Sequence, residues 1–492
     1  MEKDLADRSI TPLVMARTSP TKFTHRANDS ACGAEITLIR WRGIDPSCDG
    51  DDMSIREPAL FGDRRLEAGW VLLQDRLLET AQQGVQVRTL GGNRANEMRI
   101  RRFLHNPSVT PENMIETALA HTSTLVSGRH ILAIQDTTSL RDDGKQSGHY
   151  LHPMIAVDAD DGTLLGVVAA SFLLRRGAQA IHCNKRPFAE KESARWLEAT
   201  QEAAKLATAG ASCVTMVADR ECDIYDEFAL RPVATELLIR CHHNRMLADG
   251  TRLFAGTRKL VKLGDIIVPV PAAPGRAARD AKLALYVREV ILHRPKRNHA
   301  AEAAKLPPAL TLTYVEAREI NPPKRVEPLH WRLLTTHRVT TLAEAQQIVA
   351  WYKARWTIEQ VFRVMKTQGF DIEAVTMQDE AAFENLATAT LIAAVKVMQM
   401  VHDRNGTAQR PLTDVFRAED QPVLQAVCAR LEGKTAKQKN PHPPDTLAYA
   451  TWVCARLGGW TGYYGKPGPI VIYAGLARFT AMLDGWTIGR LQ

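Results

Sequence analysis

Two short apolar runs that each end on an aspartate constrain this chain most. HILAIQ (130–135) runs into Asp136, and VTMVA (214–218) runs into Asp219. Runs this short, bounded by polar residues, read as buried β-strands. LLGVVAASFLLRR (164–176) and TELLIR (235–240) are further runs of this kind, and a long helical pattern from about Ala189 to Ala207 separates the middle two. Strands mixed with helices predict an α/β domain. Ligands of such domains bind outside the carboxyl ends of the strands, so an acid there points into the crevice. Either aspartate alone also fits a strand cap or a turn.

A third acid lies on a helix. In TTLAEAQQIVA (340–350), Thr341 is an N-cap with Glu344 three residues later, a capping-box pattern. No Pro or Gly occurs between Thr341 and Gly369, which predicts an unbroken helix. At about 100° per residue, Tyr352, Arg355, Glu359, Arg363 and Lys366 share one stripe. Trp351, Ile358, Val361 and Met365 take the opposite, core-facing side. A lone carboxylate among cations has a plain reading, with Arg355–Glu359 and Glu359–Arg363 ion pairs on a solvated face. The alternative is an acid that holds a metal beside cations that hold phosphates. Asp136 and Asp219 favour the alternative. Three carboxylates can converge on hard divalent cations, which take oxygen ligands. Two such ions activate water or a 3′-hydroxyl at a phosphodiester.

The net charge of +8 is spread along the chain, which favours a polyanionic partner. None of the eight cysteines forms a C-x-x-C pair, which argues against a zinc ribbon and a disulfide framework. Reduced thiols in the cytoplasm are the simplest expectation. The charged N-terminus has no signal-type apolar region. The longest apolar stretch, 387–401, contains Lys396 and is too short for a membrane span; it reads as a buried helix. No membrane partner is expected.

The 492 residues divide by pattern. Residues 1–57, with DPSCDGDD (45–52), read as a poorly ordered N-terminal extension or as upstream translated sequence. Residues 58–125 read as helical, with Arg94, Arg99, Arg101 and Arg102 on one segment, a basic stretch suited to DNA backbone contact. Residues 126–385 carry the α/β pattern, and 242–330 reads as a β-rich insertion with mobile basic loops. Residues 386–492 are mostly helical.

The spacing Tyr352-x-x-Arg355-x-x-x-Glu359, closed by Lys366, resembles the YREK signature of the insertion-sequence-four family of bacterial DDE transposases. QDTTSL (135–140), EKESARW (190–196), ADRECDIY (218–225), INPPK (320–324), LHWRLLTT (329–336) and ARLGGW (455–460) resemble further family blocks in the same order. The resemblance runs from about Leu60 to Trp460. It implies an RNase H-like catalytic core with a β-rich insertion. A helical N-terminal domain that binds transposon ends and a helical C-terminal dimerisation domain would flank the core. It implies Asp136, Asp219 and Glu359 as catalytic metal ligands for two Mg²⁺ (or Mn²⁺) ions, and Tyr352, Arg355, Arg363 and Lys366 as DNA contacts. Trp331 would stack on a base flipped from the transposon end; Arg240, Arg245, Arg64 and Arg65 are further candidate DNA contacts. The implied partners are double-stranded DNA (inverted-repeat ends and target) and a second copy of the chain in the DNA complex.

Two positions depart from the family pattern: Gln360 follows Glu359 where a second acid is frequent, and Arg363 stands where Lys is frequent. His242 and His243 read as surface residues, and His152 has no role from sequence. Two rival readings stay open: a metal-dependent nuclease that does not transpose, and an inactive DNA-binding derivative.

Overall fold

The computed structural model describes residues 61–80, 83–142, 147–176, 186–254, 260–271, 277–296, 304–463 and 465–490. The expected N-terminal extension (1–57), Cys32, Cys48, Cys183 and the centres of both basic loops (272–276 and 297–303) lie outside them.

The strands are β1 His130–Gln135, β2 Thr138–Asp142, β3 Ser147–Asp158, β4 Leu164–Arg176, β5 Cys213–Ala218, β6 Thr235–Arg240, β7 Val261–Val270, β8 Arg279–His293, β9 Ala309–Glu319 and β10 His330–Thr335. The helices are α1 Arg64–Glu79, α2 Val87–Gly91, α3 Arg94–Leu104, α4 Pro111–Thr124, α5 Ala194–Thr208, α6 Tyr225–Leu230, α7 Leu342–Ala354, α8 Trp356–Met365, α9 Glu380–Asp403, α10 Gln421–Leu431, α11 Leu447–Leu457 and α12 Pro469–Arg490.

All ten strands join one mixed sheet. β4 pairs along one edge of β3, while β1 and β2 share the other edge. β5 lies parallel to β1, and β6 parallel to β5. β10 then pairs antiparallel with β6, and β9, β8 and β7 continue outward, so the insertion extends the same sheet. Alternation along the strands gives each face its own core. Ile131, Ala133, Met216, Leu237 and Ile239 pack on the α5 side. Leu132, Ile134, Val217 and Leu238 pack on the other, within a core that reaches α7, α8, α9 and the N-terminal helices.

Three elements differ from expectation. Helix α5 begins at Ala194 rather than near Ala189, because Phe188–Glu190 forms a separate 3₁₀ turn. The helix from Thr341 is not continuous. Its capping box is present, but the chain tightens at Arg355 into two i→i+3 bonds, Arg355 N to Tyr352 O and Ile358 N to Arg355 O, both 3.2 Å. It also ends at Met365, short of Gly369. The apolar stretch after Leu386 belongs to a longer helix than expected: α9 has 24 residues, enough to cross a bilayer, but 83% of its apolar window is buried inside the protein.

Candidate active site

Sheet register brings the two strand-end aspartates together. Ile134 pairs with Val217 across parallel β1 and β5, and two residues later each chain carries its acid. Val217 pairs with Leu238 across β5 and β6, so the same step places Arg240 beyond Asp219. Asp136, Asp219 and Arg240 therefore form one row. They share the parity of Ile134, Val217 and Leu238, so they face the α7–α8 side.

That helix pair supplies the remaining groups. Arg355 lies at the tightened turn, with its side chain only 8% exposed. Its Nη1 donates to Asp136 Oδ2 at 2.6 Å and its Nη2 to Glu359 Oε1 at 2.5 Å. One guanidinium thus joins the first acid to the third. Of the two i,i+4 pairs expected on this face, Arg355–Glu359 is formed. Asp219 lies within electrostatic reach of Asp136, Tyr352 and Arg355. Its carboxylate also accepts from the Arg220 amide at 2.6 Å. Tyr352, read from sequence as part of an open polar stripe, is 5% exposed, with Arg240 beside its hydroxyl. Trp331 meets Tyr352 edge-to-face at 6.0 Å.

The electrostatics record the crowding. Burial pushes the Asp136 carboxyl up to about 7, opposed by Arg355 and the Thr137 amide and reinforced by Asp219 and Glu359. Burial and Asp219 push Tyr352 up to about 12 against Arg355 and Arg240. Burial works against the charge on Arg355, but Asp136, Tyr352, Asp219 and Glu359 outweigh it and raise its pKa.

The other expected contacts are placed differently. Arg363 is exposed, whereas Lys366 pairs with Glu373 at 2.7 Å. Arg245, a candidate DNA contact from sequence, pairs through its guanidinium with Asp223, a side chain with no exposed surface. Arg64 and Arg65 are exposed in the first turn of α1. His242 and His243 are exposed, as read. A cavity of about 180 Å³ beside the row is lined in part by Arg220, Arg240, His242, His330 and Arg332. Sequence reasoning passed over Trp356, which directly follows Arg355 and is 52% exposed. Its signal was an indole next to the polar stripe of an amphipathic helix.

The donor set suits a hard divalent cation, since all three acids offer carboxylate oxygens. Burial, with Asp219 and Glu359 adding to it, holds Asp136 high, and positive charge beside the carboxylates opposes that. Among the described residues, no three His, Cys, Asp or Glu side chains stand close enough to hold an ion as they are. Arg355 occupies the position between two of the acids.

A mixed sheet with two acids at the ends of neighbouring parallel strands, faced by a helix carrying a third, is consistent with an RNase H-like DDE domain. Residues 213–396 match the family described as Transposase DDE domain. The match spans Asp219, Glu359 and both helices α7 and α8, and supports a DDE transposase.

Proposed function

We propose that this chain is a cut-and-paste DNA transposase of the insertion-sequence-four type. The observation that carries the reading is the convergence of Asp136, Glu359 and Asp219 around Arg355, in a chain matching a transposase DDE domain. Asp136, Asp219 and Glu359 would hold two Mg²⁺ or Mn²⁺ ions. When bound, such ions supply an activated oxygen nucleophile and Lewis-acid stabilisation of the leaving oxygen.

The chain's own groups then have distinct tasks. Arg355 offsets the charge of Asp136 and Glu359, and with cations held by the acids its guanidinium would be available to a phosphate oxygen. Its planar fork suits both partners. Arg240, Arg363 and the Tyr352 hydroxyl hold flanking phosphates, and the cationic cavity continues that path. Trp331 and exposed Trp356 offer π-faces to an unstacked base, which offsets the cost of extruding it. Arg64, Arg65 and the basic surface of α3 hold the duplex end. The reactions are in-line phosphoryl transfers. Water cuts one strand, the freed 3′-oxygen attacks the opposite strand and closes a hairpin, water opens it, and the 3′-oxygen attacks target DNA. A homodimer holds the two ends.

The test is an excision assay on a plasmid carrying the inverted repeats that flank the gene, with Mg²⁺. The reading predicts excised element, hairpin-capped ends and joined target products. Cutting without joined products would instead identify a nuclease, and binding without cutting an inactive derivative.

A further inference from the structure

Behind the acidic row runs a hydrogen-bond chain to which the reading above gives no task. Thr137 follows Asp136, and its amide donates to the Asp136 carboxylate at 2.8 Å. The Thr137 hydroxyl lies 2.8 Å from Nδ1 of His152 on β3. His152 is 1% exposed, and its Nε2 lies 2.9 Å from Oε1 of Gln135. The Gln135 amide nitrogen donates to Trp196 O at 3.3 Å and lies 3.1 Å from Thr200 Oγ1, so Oε1 is the acceptor. His152 Nε2 therefore carries the proton, Nδ1 accepts, and the Thr137 hydroxyl donates. Burial and nearby Arg195 hold the imidazole neutral, as this order requires. The lone pairs on the Thr137 oxygen face Arg195, whose Nε and Nη2 lie 3.3 and 3.2 Å away.

Arg195 continues to the second acid. Its Nη2 donates to Glu221 Oε2 at 2.9 Å and its Nη1 to Glu192 O at 2.8 Å. Glu221 lies in the 3₁₀ turn that Asp219 caps. One guanidinium, 6% exposed, thus grips the residue after the first acid and the turn of the second. An apolar side chain would fill the same space without the cost of burying a charge. What Arg adds is a rigid fork that fixes distances.

We propose that Arg195 and His152 are positioning residues that set the spacing of Asp136 and Asp219, the one through Thr137 and Glu221, the other through Thr137. The proposal rests on the reading of these two acids as catalytic. Carboxylates that share a cation tolerate errors of only about 0.5 Å, and loss of an outer hydrogen bond typically costs about 10–100-fold in metal affinity or activity.

The experiment uses the full chain. Thr137→Val removes the hydroxyl at nearly constant volume, and Thr137→Ser restores it. His152→Asn puts an acceptor oxygen where Nδ1 lies, and Arg195→Met removes the fork. Four quantities are read: kcat and KM for cleavage, Mn²⁺ affinity by calorimetry without DNA, DNA affinity in chelator, and Tm. Thr137→Val and Arg195→Met are expected to lower kcat and Mn²⁺ affinity by about 10–100-fold, leaving KM and chelator DNA affinity within about twofold. Thr137→Ser should stay within about threefold of wild type. Thr137→Val with His152→Asn should be no worse than Thr137→Val alone, because both act through one hydroxyl. Wild-type kcat and Mn²⁺ affinity in Thr137→Val would overturn the proposal, as would a Thr137→Ser defect equal to that of Thr137→Val. Should Arg195→Met fail to fold, the threonine pair still decides. A wild type that neither cuts DNA nor binds Mn²⁺ would sink the functional reading itself.

Discussion

At the scale of single residues, Asp136 and Arg355 show how much a site of this kind opposes its own fold. Folding raises Asp136 from 3.8 to about 7, chiefly by burial, with Asp219 and Glu359 adding to it. A carboxyl with a raised native pKa contributes stability that is fully present below about pH 4 and lost as pH rises through 7. At pH 8 the ionised group is therefore a net cost. Asp136→Asn is predicted to stabilise the apo chain at pH 8 by on the order of 2 kcal/mol and by roughly a third of that at pH 5. Thermal melts in chelator at the two pH values check this; equal shifts would contradict it. Both acids' positions were legible in sequence, because a buried strand reads as an apolar run and its end as the first polar residue. The inward turn of Arg355 was not. A helical wheel assigns it to a polar stripe, and only the tertiary partner Asp136, far away in sequence, turns that stripe into a wall of the site.

At the scale of elements, the helix start was legible and its interior was not. Thr341 and Glu344 form the capping box that their spacing predicts. The Glu344 carboxylate accepts from the Thr340 and Thr341 amides at 2.6 and 2.9 Å, and those bonds pull its pKa down to about 2. A depressed native pKa gives stability that is present above the unfolded value of 4.5 and lost as pH falls toward 2. Glu344→Gln should therefore lower amide-exchange protection in the first turn of α7 at pH 7, and the gap from wild type should close as pH falls through that window. An undiminished gap at pH 2 would rule the cap out as its source. Strands show a similar division. β1, β5 and β6 are buried parallel neighbours and so read as continuous apolar runs. β7 is the outermost strand of the insertion and carries Pro269, a residue tolerated at sheet edges, so it does not read as a continuous apolar run.

At the scale of the whole molecule, α9 ties distant parts of the chain together, a role that local pattern does not reveal. Buried Asn385 donates from one amide nitrogen to Leu104 O and Val109 O, each at 2.9 Å. Gln399 donates to Leu165 O at 2.6 Å, and Gln74 on α1 donates to Ala389 O at 3.1 Å. Asn385 and Gln399, polar residues in an apolar helix, cross-link it to the N-terminal segment and to β4, and Gln74 ties α1 to it in return. Asn385→Ala leaves two buried carbonyls without their donor and should destabilise the chain by about 2–4 kcal/mol, read from denaturant midpoints. A loss below about 0.5 kcal/mol would mean that water replaces the amide at both carbonyls.

The central claim is that Asp136, Asp219 and Glu359 act as one catalytic set. Its most direct test is the excision assay with Mg²⁺ on Asp136→Ala, Asp219→Ala and Glu359→Ala, each checked for folding and for DNA binding in chelator. The account predicts that every variant binds the transposon end within a few-fold of wild type and that each loses at least about a hundredfold in cutting. A wild type that cuts, beside any one of these variants that still cuts within tenfold of it, would contradict the account.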